Sequence, residues 1–320
     1  MAITSLIIGF VLLIWSANKF IDGAAATAVH FGMSPLAVGM LIVGFGTSAP
    51  EILVSITAAL DDAPILALGN GLGSNIVNSG LVIGITALIT PIVVKSNIVR
   101  RELPLLIFVA MLLGFLIYDG DLTKVEAAIL ATGLLFMIGW SCYIVYSNKN
   151  DVLTEELELE IPTHTMTLTT AIFWLACGLL VLFASSQILV WGAVQIATAL
   201  KIDNLIIGLT VIAIGTSLPE LAASVAAAKK GEHDIAIGNV VGSNLFNLLA
   251  VIGLAGVITP IPTLPSELFQ RDWLTMMILT IALFFMAIGI AKQGRINRLE
   301  GSILLLIYFA HLYVLVTGAN

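Results

Sequence analysis

The hexapeptide GTSAPE at Gly46–Glu51 recurs as GTSLPE at Gly215–Glu220, and GNGLGSNIVN at Gly69–Asn78 recurs as GNVVGSNLFN at Gly238–Asn247. The tripeptide ITP at Ile89–Pro91 returns at Ile258–Pro260. All three pairs lie 169 positions apart (215 − 46, 238 − 69, 258 − 89), so the match runs ungapped through two hydrophobic stretches and the turn between them. Chance similarity among apolar segments would preserve leucines and valines. Here small polar residues keep their register, which marks an internal duplication.

The medium in which the duplication sits follows from composition. Hydrophobic residues make up 59% and charged residues 10%, with a mean hydropathy of +1.09. A soluble domain carries about 25% charged residues, so this chain cannot clothe itself for water and belongs in a lipid bilayer. A spanning helix needs roughly 20 apolar residues. Ten such spans are read, at 3–28, 35–60, 65–89, 103–118, 122–147, 168–199, 204–228, 234–258, 273–291 and 297–317. The predicted fold is an all-α membrane protein of ten transmembrane helices, with helices 2, 3, 7 and 8 made discontinuous by glycine, proline and small polar residues. Residues 1–147 form a first five-helix repeat, 148–167 an acidic cytoplasmic linker, and 168–320 a second five-helix repeat. The linker holds Asp151, Glu155, Glu156, Glu158 and Glu160 and is read as solvated. The length leaves no room for a soluble domain, and the N-terminal apolar run is read as a retained first helix.

An odd number of spans per copy places the second copy upside down in the membrane, the inverted-repeat plan of many secondary transporters. Charge supports this independently. The turn inside the duplicated unit reads Asp61-Asp62 in the first copy and Lys229-Lys230 in the second. With the N-terminus outside, the cytoplasmic loops hold Lys95, Arg100, Arg101, Lys149, Lys229, Lys230, Lys292, Arg295 and Arg298. The outer loops hold only Lys124, Lys201 and Arg271, while Lys19 falls inside the first span. Basic residues favour the cytoplasmic side, so both termini should face outward. The net charge of −7 argues against a nucleic-acid partner. Cys142 and Cys177 lie in apolar runs and are assigned to packing.

The duplicated motifs carry the chemistry. Pro50 and Pro219 have no N–H, so the carbonyls of Gly46 and Gly215 lose their helical partners. In lipid such carbonyls are tolerable only where they line a cavity or bind something. Each motif is therefore expected to break its helix. Thr47 and Ser48, with Thr216 and Ser217, add hydroxyls at the same place. Glu51 shares a helix face with Thr47, and Glu220 with Thr216. A carboxylate at mid-membrane costs about 3 kcal/mol on insertion scales and marks function. In the following helices Ser74 and Asn78 share a face, as do Ser243 and Asn247. Gly69, Gly73, Gly238 and Gly242 permit close approach between helices. Pseudo-symmetry gathers Glu51, Asn78, Glu220 and Asn247 around one centre. Asn70, Asn75, Asn239 and Asn244 are read more as holders of helix ends than as ligands, and His30, His164, His233 and His311 as interfacial residues.

This donor set is all oxygen. Hard cations such as calcium and sodium take oxygen ligands, whereas zinc and copper prefer nitrogen and sulfur. Two carboxylates balance one divalent or two monovalent ions, the electrostatic condition for exchange. Without metal, one or both glutamates should take up protons.

On these motifs the chain resembles the cation/calcium exchanger superfamily, specifically prokaryotic sodium/calcium antiporters, over essentially its whole length. The resemblance implies ions bound between helices 2, 3, 7 and 8, and helices 1 and 6 sliding to alternate access. It places the metal ligands at Thr47, Ser48, Glu51, Ser74 and Asn78, and at Thr216, Ser217, Glu220, Ser243 and Asn247. Some members carry an aspartate where this chain has Asn247, which leaves sodium stoichiometry and a proton-coupled cycle open. Calcium/proton exchangers of the superfamily typically carry a glutamate in the second motif, which neither Asn78 nor Asn247 matches.

The expected function is antiport of calcium for sodium by alternating access, in the direction of calcium efflux, across the plasma (inner) membrane of a prokaryote. Calcium/proton exchange is the alternative, and a passive cation channel a weaker one. No cofactor is expected, and the transported ions are Ca2+ and Na+, with H+ as a further candidate. No nucleophile–base pair or cofactor loop points to an enzyme. The partners are the bilayer and the ions, with no obligate protein partner, and the chain is read as a monomer.

Overall fold

The computed structural model describes residues 1–94, 99–147, 166–200, 213–288 and 294–318. Residues 148–165 of the linker read at 148–167, with His164, lie outside them, as do 201–212 at the entry to the seventh span. The described chain is helical almost throughout. In order come α1 (Ala2–Phe31), α2 (Pro35–Leu60), α3 (Pro64–Ile89), α4 (Val99–Leu116), α5 (Lys124–Ser147) and α6 (Leu168–Ala199). There follow a single turn at Ala213–Thr216, α7 (Leu218–Lys229), α8 (His233–Ile258), α9 (Leu268–Ile288) and α10 (Arg298–Gly318). Among the described residues, seven of these helices are long and apolar enough to cross a membrane: α1, α2, α3, α6, α8, α9 and α10. The chain is a multi-pass membrane protein.

Local chemistry sets the boundaries. α1 stops at Gly32, whose left-handed backbone (φ 63) lets its own N–H and that of Met33 return to Val29 and Ala28. Ser34 then caps α2 by accepting the Ala37 N–H, and Pro35 supplies a preset first turn. The turn between α2 and α3 recurs between α7 and α8 atom for atom. Asp62 and Gly231, equivalent by the 169-residue register, both have positive φ (57 and 83). Ala63 N donates to Ala58 O as Glu232 N donates to Ala227 O. Beyond the duplicated unit, β1 (Ile92–Val93) pairs antiparallel with β2 (Arg295–Ile296), Ile92 facing Ile296. Ile261, the counterpart of Ile92, bridges to Leu122. Ile296 and Leu122 each stand two residues ahead of the last helix of their half, so the correspondence extends past the region of sequence identity. These short strands are an addition to the all-helical expectation.

α3 and α8 form the centre, with 78% and 83% of their apolar windows buried, against 28% in α1 and 22% in α6. Leu72, Ile76, Val82, Leu245 and Leu248 from the two helices share one apolar core with Leu103 and Leu113 of α4 and Leu279 and Leu283 of α9. α1 and α6 lie outside this core against each other along their length. Glycines bring their backbones together: a Cβ on Gly178 would fall 2.7 Å from Phe20 N, and one on Gly192 3.0 Å from Ala2 O. His30 Nε2 bonds Met166 O at 2.8 Å, and the Lys19 ammonium sits 4.8 Å over the Trp174 ring. α1 also meets α7, where Lys230 is ion-paired with Asp22 and donates to Asn18 O at 2.9 Å.

The expected discontinuities take a different form. α2 does not break at Pro50, which sits inside the helical stretch Phe45–Leu60. Instead the helix widens ahead of the motif into a π-helical segment, Gly39–Gly44, which absorbs the change in hydrogen-bond register. α3 and α8 likewise run unbroken through their GSN motifs and widen at Val77–Val82 and Asn247–Ile252. Only the second GTSxPE copy interrupts its helix, at Ser217 between Ala213–Thr216 and Leu218–Lys229. Gly238 and Gly242 do admit close approach, with Leu36 O at 2.7 Å and Met40 O at 2.5 Å from a built Cβ. Gly69 and Gly73 have no such neighbour within 4 Å among the described residues.

Candidate cation-binding centre

The π segment of α2 lies against α8, and this sets the depth at which Thr47, Ser48 and Glu51 are held. Thr47 Oγ1 bonds back to Val43 O (3.1 Å) and Gly44 O (3.4 Å), and reaches Asn239 Oδ1 (3.1 Å) and Ser243 Oγ (3.3 Å) on α8. Ser243 Oγ donates to Gly44 O at 3.2 Å. Thr47 and Ser243, two of the sequence-derived candidates, thus meet each other and spend part of their capacity on the α2–α8 joint.

The two glutamates are buried, 2% and 1% exposed for Glu51 and Glu220, and neither is in an ion pair among the described residues. They lie within electrostatic reach of each other, with the Thr47 and Ser48 hydroxyls alongside the Glu220 carboxyl. Two asparagines hold the backbones on which they sit. Asn70 Nδ2 donates to Glu51 O (3.4 Å) and Ser55 Oγ (3.1 Å). In the second copy Asn239 Nδ2 donates to Glu220 O (3.2 Å) and Ser224 Oγ (2.9 Å). Each residue of one set lies 169 positions from its partner in the other (239 − 70, 220 − 51, 224 − 55). Asn70 and Asn239 are therefore clamps beneath the carboxylates and not holders of helix ends. Ser55 and Ser224 escaped the sequence reading, although they repeat in the same register one turn beyond the glutamates.

Asn78 and Asn247 are 1% exposed, and each donates its amide across to the other copy. Asn78 Nδ2 bonds Asn244 Oδ1 at 3.2 Å, and Asn247 Nδ2 bonds Asn75 Oδ1 at 3.1 Å. Their carbonyl oxygens are left over. Among the described residues, the buried side-chain atoms without a hydrogen-bond partner include Ser48 Oγ, both Glu51 carboxylate oxygens, Asn78 Oδ1, Ser217 Oγ, Glu220 Oε2 and Asn247 Oδ1. These fall into three pairs of equivalent residues, 48 with 217, 51 with 220 and 78 with 247.

A buried polar atom without a partner costs about 1–3 kcal/mol, more when it is charged. Seven such atoms on three pairs of equivalent residues make a donor set suited to a cation. The set is hard, anionic and free of nitrogen acceptors, which fits calcium and sodium as substrates. Ser74, 6% exposed, lies one turn from Asn78, and Thr216 is half-buried at the break ahead of Glu220. An acidic group of another kind, Asp119, Asp121 and Glu126, lies at the surface. Its Glu126 is already used, capping α5 through Thr123 N (2.8 Å). His311 departs from the interfacial reading: its side chain is 7% exposed and faces Asp272 at 3.5 Å. Cys177 is free and half-buried in α6.

The sodium/calcium exchanger protein family matches the chain over residues 1–148 and 170–317. The putative antiporter CaxA of Alkalimonas amylolytica is 46% identical over 310 residues, covering 97% of both chains. The sodium/calcium exchanger MaX1 of Methanosarcina acetivorans is 29% identical over 350 residues, again covering 97% of both. Among solved structures, the sodium-calcium exchanger NCX_Mj, soaked with sodium and calcium, has a TM-score of 0.81 at 27% identity, covering 98% of this chain and 97% of that one.

Proposed function

The chain belongs to the sodium/calcium exchanger family, and from that premise we propose that it is a secondary active antiporter exchanging calcium for sodium by alternating access. It is a transporter and not an enzyme, and its ions are substrates. The observation that carries the reading is the set of partnerless buried oxygens around Glu51 and Glu220. Thr47, Ser48, Glu51, Ser74 and Asn78, with Thr216, Ser217, Glu220, Ser243 and Asn247, supply the ligands. The two carboxylates hold one Ca2+ or two Na+ at equal net charge. A centre emptied of cations leaves two unpaired carboxylates in a low-dielectric interior, which is costly. That cost disfavours reorientation of the empty carrier and so couples the two fluxes.

The proposed frame is ten transmembrane helices in two inverted five-helix repeats, 1–147 and 168–320, with 148–167 as a cytoplasmic linker and both termini outside the plasma membrane of a prokaryote. The glycine-mediated seam between α1 and α6 supports their moving as a unit against the α3–α8 core, with calcium efflux as the working direction and a monomer as the working unit. A second reading, calcium/proton exchange, draws on the same two uncompensated carboxylates, since protons can neutralise them. The test is uptake of radioactive calcium into proteoliposomes under an imposed sodium gradient. Glu51→Gln and Glu220→Gln should each reduce it to the protein-free rate. Uptake at the wild-type rate in either variant contradicts the site.

A further inference from the structure

A primary amide is ambiguous at a cation site. Its oxygen end attracts the ion and its NH2 end repels it, yet the two ends are nearly the same size, so packing alone does not choose between them. In this protein the choice is made by hydrogen bonds from the opposite repeat. We propose that Asn75 and Asn244 are positioning residues that hold the amides of Asn247 and Asn78 with their oxygens toward the transported ion. The inference rests on Asn78 and Asn247 being ligands, as proposed above.

The chain of bonds has a direction. Asn75 Nδ2 donates to Asn244 O at 3.2 Å, and a backbone carbonyl can only accept. Asn75 Nδ2 also touches Met276 Sδ at 3.6 Å, a weak acceptor. With its nitrogen fixed, Asn75 must present Oδ1 to its other neighbour, and there Asn247 Nδ2 donates to it at 3.1 Å. The remaining end of Asn247 is Oδ1, buried and without a partner. The second arm runs the same way: Asn244 Nδ2 donates to Ser79 Oγ (2.9 Å), Asn78 Nδ2 donates to Asn244 Oδ1 (3.2 Å), and Asn78 Oδ1 is left over. All four asparagines are at most 1% exposed, so no bulk water competes.

The arms differ at their anchors. The first ends on a backbone carbonyl, which cannot reverse its role. The second ends on the Ser79 hydroxyl, which can donate or accept, and the residue equivalent to Ser79 is Leu248. Asn247 is the more firmly oriented of the two oxygens.

Calcium affinity of the purified full-length protein, read by equilibrium binding of radioactive calcium, tests the proposal as a double-mutant cycle. Asn247→Ala should weaken binding about tenfold or more, the loss of one ion–dipole ligand. Unchanged affinity there overturns the ligand reading, and the positioning role with it. Asn75→Leu should cost about as much in the wild-type background. In an Asn247→Asp background, where both ends of the side chain are oxygens and orientation no longer matters, the same substitution should cost under about threefold. Equal losses in the two backgrounds overturn the positioning role and leave the ligand reading standing. Asn75→Ala, run through the same cycle, carries the comparison if the leucine variant fails to fold.

Discussion

Ser48 and Ser217 isolate what the centre costs the fold at the scale of one residue. Their hydroxyls are buried and have no hydrogen-bond partner among the described residues, so on the proposed reading they destabilise the protein until an ion is bound. Ser48→Ala and Ser217→Ala should therefore leave the ion-free protein as stable or up to about 1–2 kcal/mol more stable. The same variants should shrink the rise in thermal midpoint on adding calcium. A drop in ion-free stability with an unchanged calcium response would mean that these hydroxyls hold the helix instead. The glutamates were legible in the sequence because a charge after a proline, repeated in register, has no packing purpose. Asn70 and Asn239 were not, because asparagine among glycines reads equally as a helix end, and only the folded chain shows their amides under Glu51 O and Glu220 O.

At the scale of elements most described helix boundaries fall close to the spans read from the sequence, the ninth excepted (read at 273–291, observed at Leu268–Ile288), and helix interiors were not readable. In the structure Pro35 opens α2, and Gly32, Asp62 and Gly231 turn the chain with positive φ after α1, α2 and α7. The π segments at Gly39–Gly44, Val77–Val82 and Asn247–Ile252 leave no such mark, since an i→i+5 bond uses the same residues as an i→i+4 bond. For that reason a break expected at Pro50 became a widening ahead of the motif, at Gly39–Gly44. The α1–α6 seam gives the sharpest test of an element. Gly178→Leu drives a side chain into the Phe20 backbone, and overpacking of this kind costs about 1–3 kcal/mol. It should lower the thermal midpoint and slow transport. Gly139→Leu on α5, where a built Cβ meets no neighbouring element within 4 Å among the described residues, should change neither. Similar losses in both variants would remove the seam from the mechanism.

For the whole molecule, the duplication recurs as matched turns, clamps and cross-repeat amides, and the proposed inverted arrangement, drawn from the charge pattern of the sequence, would set the copies on opposite faces. Asp62→Cys and Lys229→Cys, made in a background with Cys142 and Cys177 replaced by serine, place those faces. A membrane-impermeant thiol reagent added to intact cells should label position 62 and spare position 229 until the cells are opened. Labelling of both from outside would contradict the inverted arrangement. The proposed site, with two carboxylates and two amides, makes the driving ion the central question, and calcium flux in proteoliposomes answers it most directly. With sodium, potassium and proton gradients imposed one at a time, an outward sodium gradient alone should drive calcium inward, and Glu51→Gln should abolish that uptake. Calcium uptake driven by a pH gradient in sodium-free buffer, with none driven by sodium, would contradict it.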